Sequence, residues 1–289
     1  MDYVGDIIRP PAEADSILLQ VTVGCSHNRC AFCPAYKSKT FAFKDLERVR
    51  RDLEWAAARM PGNRRLFLCD GDALVMPQER LKEILAAIRE TLPDVARVST
   101  YANAKSLSRK TPDELRELAG LGLHTLHMGL ESGDDATLAR MNKWGDSAAM
   151  LAEARKAMAA GLKLAVTVLL GLGGVERSAE HAAATGRVLA EMAPHQAAAL
   201  TLMVVPGTPL WDEQEAGRFT LPDSRGMLRE LRTLLEHAAM PRGLFLANHA
   251  SNYLPLKLRM PRDREPALRL LDAALAGKVG LRPEWSRGL

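Results

Sequence analysis

Apolar and polar positions along the 289-residue chain follow two alternating rhythms. Short, nearly solid apolar runs recur at residues 17–23 (ILLQVTV), 65–69 (RLFLC), 97–101, 126–129, 162–170 (LKLAVTVLL) and 198–205. Runs of that length, apolar on both faces, predict strands buried in a parallel sheet. Between them the apolar residues take helical spacing. Residues 43–59 place Leu46, Val49, Leu53 and Ala56 on one face, and residues 78–91 do the same with Leu81, Ile84, Leu85 and Ile88. Residues 111–120 open with TPDEL, which supplies Thr111 as N-cap, Pro112 at the first helical position and Glu114 at the capping-box position. Further helices are expected at 135–142, 147–160, 178–192 and 224–237, with a loop before the last.

Six strand–helix units in register imply parallel strands joined by right-handed crossovers. Six are too few for a closed eightfold barrel, so the alternatives are an incomplete barrel and a doubly wound sheet. In both, chemistry belongs at the carboxyl ends of the strands. After about residue 240 the rhythm changes, with one more short strand expected at 243–247 and a last helix at 263–276. The expected division is an N-terminal extension (1–15), a barrel (16–240) and a C-terminal extension (241–289) of strand, turn and helix that closes the barrel.

Composition narrows the class. A hydrophobic fraction of 47% with 26% charged residues excludes a disordered, collagenous or coiled-coil chain. No window approaches the roughly 18 apolar residues of a membrane span. The opening MDYVGDIIRPPAEAD is acidic and interrupted by a proline pair, unlike a signal peptide, so a cytoplasmic protein with no membrane partner is expected. The 39 basic and 35 acidic residues give +4. Residues 242–289 hold nine Lys/Arg against four Asp/Glu, so the rest of the chain sums to −1. That basic tail suits either contact with nucleic-acid phosphates or a solvated face.

Three of the four cysteines lie in one stretch, Gly24-Cys25-Ser26-His27-Asn28-Arg29-Cys30-Ala31-Phe32-Cys33, directly after the first strand. Three thiolates on one loop can hold a [4Fe–4S] cubane and leave one iron without a protein ligand, where a cofactor can bind. Two other readings stand beside it. Cys25, His27, Cys30 and Cys33 are a donor set for structural zinc, although His27 is too close to its neighbours for the usual paired spacing. Three buried thiols acting as small hydrophobes are the other, at odds with the polar residues between them.

With Cys-x4-Cys-x2-Cys after the first strand and the aromatic Phe32 before the last cysteine, the sequence resembles the radical S-adenosylmethionine (radical SAM) superfamily. Within it, the likeness is to the elongator-type and oxygen-independent coproporphyrinogen oxidase-type group. The usual first gap has three residues and this one has four, Ser26 to Arg29. The resemblance covers about residues 16–210 and implies an α/β fold, a partial (β/α)6 TIM-like barrel with a short C-terminal extension. It implies a [4Fe–4S] cluster on Cys25, Cys30 and Cys33, with S-adenosylmethionine on the open iron. Reductive cleavage of that cofactor would give a 5′-deoxyadenosyl radical that abstracts hydrogen from a substrate. A one-electron donor such as flavodoxin or ferredoxin is the implied partner.

Other motifs extend the likeness. Asp70-Gly71-Asp72-Ala73 stands where the family receives the methionyl ammonium, with Gly71 allowing close backbone approach and Asp72 supplying charge. Gly129-Leu130-Glu131-Ser132-Gly133 resembles the ribose-binding stretch, with Glu131 as acceptor for the hydroxyls and Ser132 as a second polar contact. Leu170 and Val205, at the ends of the fifth and sixth strands, are the implied adenine contacts. The glycines at 171–174 do not complete a dinucleotide fingerprint, because Glu176 stands at its last position.

Substrate candidates are Tyr101, Asn103, His127 and Thr167 near strand ends, and Asn248, His249, Asn252 and Tyr253 in the polar stretch ANHASNY. That stretch reads equally as a hydrogen-bonded turn. Cys69, the only cysteine outside the loop, reads as a core residue, which leaves no second cluster. Few residues precede the first strand, so no cobalamin-binding domain is expected. The substrate, small or macromolecular, is not specified. The group also includes haem chaperones, which makes a non-catalytic tetrapyrrole carrier the competing function.

Overall fold

A computed structural model describes residues 1–288. Its strands are β1 (Ile17–Gln20), β2 (Thr22–Val23), β3 (Ala42–Phe43), β4 (Arg65–Cys69), β5 (Arg97–Ala102), β6 (Leu123–Glu131), β7 (Lys163–Leu170), β8 (Gln196–Thr201), β9 (Leu244–Leu246) and β10 (Lys257–Arg259). Its helices are α1 (Leu46–Arg59), α2 (Gln78–Thr91), α3 (Ala104–Ser108), α4 (Pro112–Gly120), α5 (Asp135–Arg140), α6 (Ser147–Ala159), α7 (Ser178–Met192), α8 (Pro209–Glu215), α9 (Ser224–His237) and α10 (Arg264–Leu275). One mostly parallel sheet has the order β1-β4-β5-β6-β7-β8-β9-β10. The fold is therefore mixed α/β, in keeping with the partial TIM-like barrel expected. No described helix is long and apolar enough to cross a membrane.

The chain forms two compact units. The first comprises residues 1–28, 35–128 and 153–164. Its strands β1, β4 and β5 are parallel neighbours, and in β4 every residue but Arg65 is buried, as a strand covered on both faces requires. α1 starts at Leu46, after Asp45 caps the amides of Glu47 and Arg48, and it buries Val49, Leu53 and Ala56. α2 buries Leu81, Ile84, Leu85 and Ile88, and α4 begins with the capping box of Thr111 and Glu114.

The run 17–23 is two strands rather than one. The Val21 amide donates to the Cys69 carbonyl at 2.6 Å, after which Thr22 and Val23 pair antiparallel with Ala42 and Phe43. Phe43 thus belongs to a strand and not to the first turn of α1.

The second unit comprises residues 29–34, 129–152 and 165 onward. β7, β8 and β9 are parallel, and β10 closes antiparallel on β9. α9 buries Met227, Leu228, Leu231, Leu234 and Leu235, and it lies so close to α7 that a β-carbon on Gly186 would meet the Leu234 carbonyl. A second apolar cluster gathers Met141, Leu172, Leu202, Leu210 and Phe219, with Ala31, Phe32, Leu169, Val204 and Leu221 against it.

β8 ends at Thr201, four residues before the expected end. The Val205 carbonyl instead accepts from the Thr208 amide and hydroxyl, forming the turn that opens α8.

Candidate active site

In the first unit, the carboxyl end of β4 runs into Asp70-Gly71-Asp72. Gly71 donates its amide to the Gly24 carbonyl at 3.2 Å. A β-carbon on Gly71 would lie 2.6 Å from the Tyr36 ring and 2.9 Å from the Cys25 Cβ, so only glycine lets these three segments meet. Cys25 is half-buried here, and no disulfide joins any of the four cysteines.

Asp72 is fully buried. Its Oδ2 accepts from the Ser26 hydroxyl and from the Asn103 amide nitrogen at 2.8 Å. Its Oδ1 is buried and has no hydrogen-bond partner among the described residues. Burial drives the Asp72 carboxyl above the usual carboxylate range, and the bonds from Ser26, Ser106 and Asn103 only partly offset it. Asp70 performs a different task. Its Oδ2 accepts from Lys39 at 2.8 Å and from Gln20 and the Gly24 amide at 3.2 Å, which straps the cysteine loop to β4. The Tyr36 hydroxyl is also buried without a partner among the described residues. Burial, aided by the Asp70 charge, pushes the phenol's pKa upward, so it stays protonated.

Of the substrate candidates in this unit, Asn103 is spent on structure. Its Oδ1 caps α3 through the Ser106 amide while its Nδ2 holds Asp72. Tyr101 on β5 stands edge-on to Phe67 at 5.0 Å, and His127 on β6 stands 5.7 Å from the same ring. His127 is buried and bonded to Glu13 through Nε2 at 3.2 Å. Cys69 is fully buried, and burial together with the Asp70 charge raises its thiol pKa well above the ordinary value. It is a core residue and a poor thiolate donor.

In the second unit, residues 29–34 are anchored by backbone. The Ala31 amide donates to the Met141 carbonyl at 2.9 Å, and the Ala31 carbonyl accepts from the Leu210 amide at 3.0 Å. The Cys33 amide donates to the Cys30 carbonyl at 3.4 Å, which turns the segment. Both cysteines are half-buried, and Phe32 packs against the apolar cluster beside Leu169 and Val204. Among the described residues, no three His, Cys, Asp or Glu side chains are gathered as ligands of one metal ion.

Glu131 ends β6 with a φ of 65°. A non-glycine residue in the left-handed region is a cost that structures retain mainly where a side chain must be aimed. Lys143 Nζ lies 3.1 Å from its Oε1. Ser132 is fully buried, and its hydroxyl lies 2.7 Å from His181 Nδ1 while accepting from the Asp134 amide at 2.9 Å. Leu170 is buried at 2% exposure, whereas Thr167 and Leu169 face the other way and are half-buried. Val205 lies in the turn beyond β8 and not on the strand.

The polar stretch 248–253 is tied into the fold. The Asn252 amide bonds the Thr201 hydroxyl and the Ala199 carbonyl, each at 2.8 Å, and the Ser251 hydroxyl accepts from the Thr201 amide. His249 lies 2.9 Å from the Ser251 hydroxyl, with burial and the nearby Arg282 lowering its pKa. Tyr253 donates to Glu284 at 2.7 Å and lies under the Arg287 guanidinium, and burial raises its pKa to about 12. Asn248 and Ala250 are exposed.

Sequence reasoning missed His181, whose partners lie 49 and 12 residues away, and Ser26, which stood inside the motif without a role. The signal for Ser26 was its place beside the first cysteine. For His181 there was none.

The fold is that of several solved structures. HydG, a maturase of the [FeFe]-hydrogenase, aligns with 20% identity and a TM-score of 0.52, over 78% of this chain and 50% of its own. Coproporphyrinogen III oxidase (HemN) from Escherichia coli, a radical SAM enzyme, aligns with 17% identity and a TM-score of 0.57, over 78% and 52%. TsrM from Kitasatospora setae, a radical SAM methyltransferase solved with cobalamin and a [4Fe–4S] cluster, gives 18%, 0.58, 93% and 55%. The chain thus spans about half the length of each. No curated protein sequence matches it. The family model for the radical SAM superfamily matches residues 19–184, more than half of the chain, and the protein belongs to that superfamily.

Proposed function

We propose that the protein is a radical SAM enzyme in which Cys25, Cys30 and Cys33 ligate a [4Fe–4S] cluster and the ends of β4, β6 and β7 hold S-adenosylmethionine. One observation carries this reading: a fully buried Asp72, on the turn whose Gly71 lies against Cys25, keeps one carboxylate oxygen without a partner among the described residues. A buried unpaired carboxylate is costly in a protein that binds no cation there. The donor set fits the expected cofactor, with thiolates for iron, a carboxylate for an ammonium and a second carboxylate for ribose hydroxyls.

When bound, the cluster and S-adenosylmethionine would supply one-electron reductive chemistry for hydrogen abstraction from a substrate. The rest falls to this chain's own residues. Asp72 Oδ1 accepts the methionyl ammonium, while Ser26 and Asn103 fix Oδ2 and so aim the free oxygen. Gly71 brings the β4 turn against the cysteine loop. The Tyr36 phenol, kept protonated by burial, is a donor at the same turn. Glu131 accepts the ribose hydroxyls, with Lys143 orienting its carboxylate. Phe32, the Leu170 backbone and Val205 supply an apolar wall that excludes water from the adenine side. Residues 16–240 carry this chemistry, residues 241–289 form its cover, and a flavodoxin or ferredoxin delivers the electron. Tyr101, His127 and Thr167 remain the residues in this reading with which a substrate makes contact.

The test is anaerobic reconstitution with iron and sulfide, followed by reduction in the presence of S-adenosylmethionine. The expected result is a brown protein that forms 5′-deoxyadenosine. Cys25→Ala, Cys30→Ala and Cys33→Ala should each abolish that product, and Cys69→Ala should not. A brown wild-type protein that binds the cofactor without cleaving it would overturn the enzymatic reading, and loss of the cluster in Cys69→Ala would overturn the ligand assignment.

A further inference from the structure

We infer that His181 is a positioning residue for the nucleoside half of the cofactor site, a single buried imidazole that fixes both the Glu131–Ser132 turn and the end of β7. The inference rests on the reading of Glu131 as the ribose ligand. His181 lies on α7 and is fully buried. Its Nε2 is 3.0 Å from the Leu169 carbonyl and 3.2 Å from Glu230 Oε1. A carbonyl only accepts, so Nε2 carries the hydrogen. In the neutral ring Nδ1 is then the acceptor, and its donor is the Ser132 hydroxyl at 2.7 Å. The Ser132 oxygen in turn accepts the Asp134 amide, so the hydroxyl is held from two sides and its direction is fixed.

The neighbouring contacts leave this arrangement no slack. Gly133 presses on α7 so closely that a β-carbon there would lie 2.5 Å from the Ala184 carbonyl, and its amide donates to the Thr185 hydroxyl at 2.9 Å. On the other side, Glu230 accepts from the Gly171 amide and from the Ser178 hydroxyl. One imidazole therefore joins two turns: the one that places the strained Glu131 and the one that follows Leu170. Residue 131 holds a positive φ only if its neighbours over-determine it, and Ser132 is the neighbour that the imidazole holds. Loss of the imidazole releases the Glu131 carboxylate before it disturbs Asp72, which lies on a different strand end.

The experiment measures equilibrium binding of S-adenosylmethionine and of its 2′-deoxyribose analogue to anaerobically reconstituted protein. The wild type is expected to prefer the ribose form by about tenfold, the worth of a hydrogen bond to a charged acceptor. His181→Phe, which keeps ring volume but removes both nitrogens, should reduce that preference to less than about twofold. His181→Gln restores an N–H toward the Leu169 carbonyl and should recover part of the preference, which a packing role would not produce. If His181→Phe does not fold, His181→Gln alone decides, with an intermediate preference expected. A variant that weakens both ligands equally and keeps the wild-type preference would overturn the inference, as would unchanged binding. A wild type that shows no preference, or binds neither ligand, would instead sink the cofactor reading itself and this inference with it.

Discussion

At Asp72, burial and hydrogen bonding pull in opposite directions. Desolvation raises the carboxyl pKa, the bonds from Ser26, Ser106 and Asn103 lower it, and burial wins. The cost falls on the ligand-free protein, because an incoming ammonium would reverse it. Asp72→Asn keeps the shape and removes the charge. Its melting midpoint without ligand should equal or exceed that of the wild type, while affinity for S-adenosylmethionine falls by roughly tenfold to hundredfold. Thermal melts and equilibrium binding on the same preparations check both halves. A lower midpoint with unchanged affinity would make Asp72 a structural residue. Cys69 is the control at this scale: Cys69→Ala removes a small buried side chain, costs about 1 kcal/mol and leaves the cofactor chemistry alone.

The helix α5 shows how one element is held at the site. Asp134 caps it through the Thr137 amide, and Arg177 places two bonds of 2.8 Å on the same carboxylate. Those bonds from Arg177 hold the Asp134 pKa down at about 2, below its ordinary 3.8. A lowered folded-state pKa means that the stabilisation is present above the ordinary carboxylate range and is lost as pH falls through the lower value. Asp134→Asn should therefore cost about 1 kcal/mol near neutrality. Urea midpoints of variant and wild type should converge as pH falls through the interval between the two values; a gap that stays constant with pH would count against the ion pair.

The same kind of cap explains what was legible. TPDEL announced α4, and the strand runs announced the parallel core, because both signals are local. Thr208-Pro209 repeats the Thr-Pro signal and does open α8, in a stretch read as loop. α3 spans five residues and β10 three, too short for a period to show. The cysteines, Asp72 and Glu131 were legible as motifs. The orphaned oxygen on Asp72, the spent amide of Asn103 and the His181 bonds were not, since each depends on partners far away in sequence.

Across the molecule, the polar turn at 248–253 is held from both sides by distant chain. Arg282 donates to the carbonyls of His249, Ala250 and Asn252. Arg287 donates to the Ser251 carbonyl and stacks on Tyr253 at 4.0 Å. From the other side, β8 supplies the Thr201 hydroxyl and the Ala199 carbonyl that the Asn252 amide satisfies. The basic residues of the tail include these two, so part of the +4 charge is spent on backbone carbonyls and not offered to a phosphate partner. Asn252→Ala would leave both β8 groups buried without a partner and should destabilise the protein by about 2–3 kcal/mol in urea unfolding. Arg282→Ala, at the less buried side, should cost about 1 kcal/mol. If Asn252 served the substrate instead, its replacement would reduce turnover at an unchanged unfolding midpoint. The two readings are thus separated by which measurement moves, and the bonds to β8 predict that it is the unfolding midpoint.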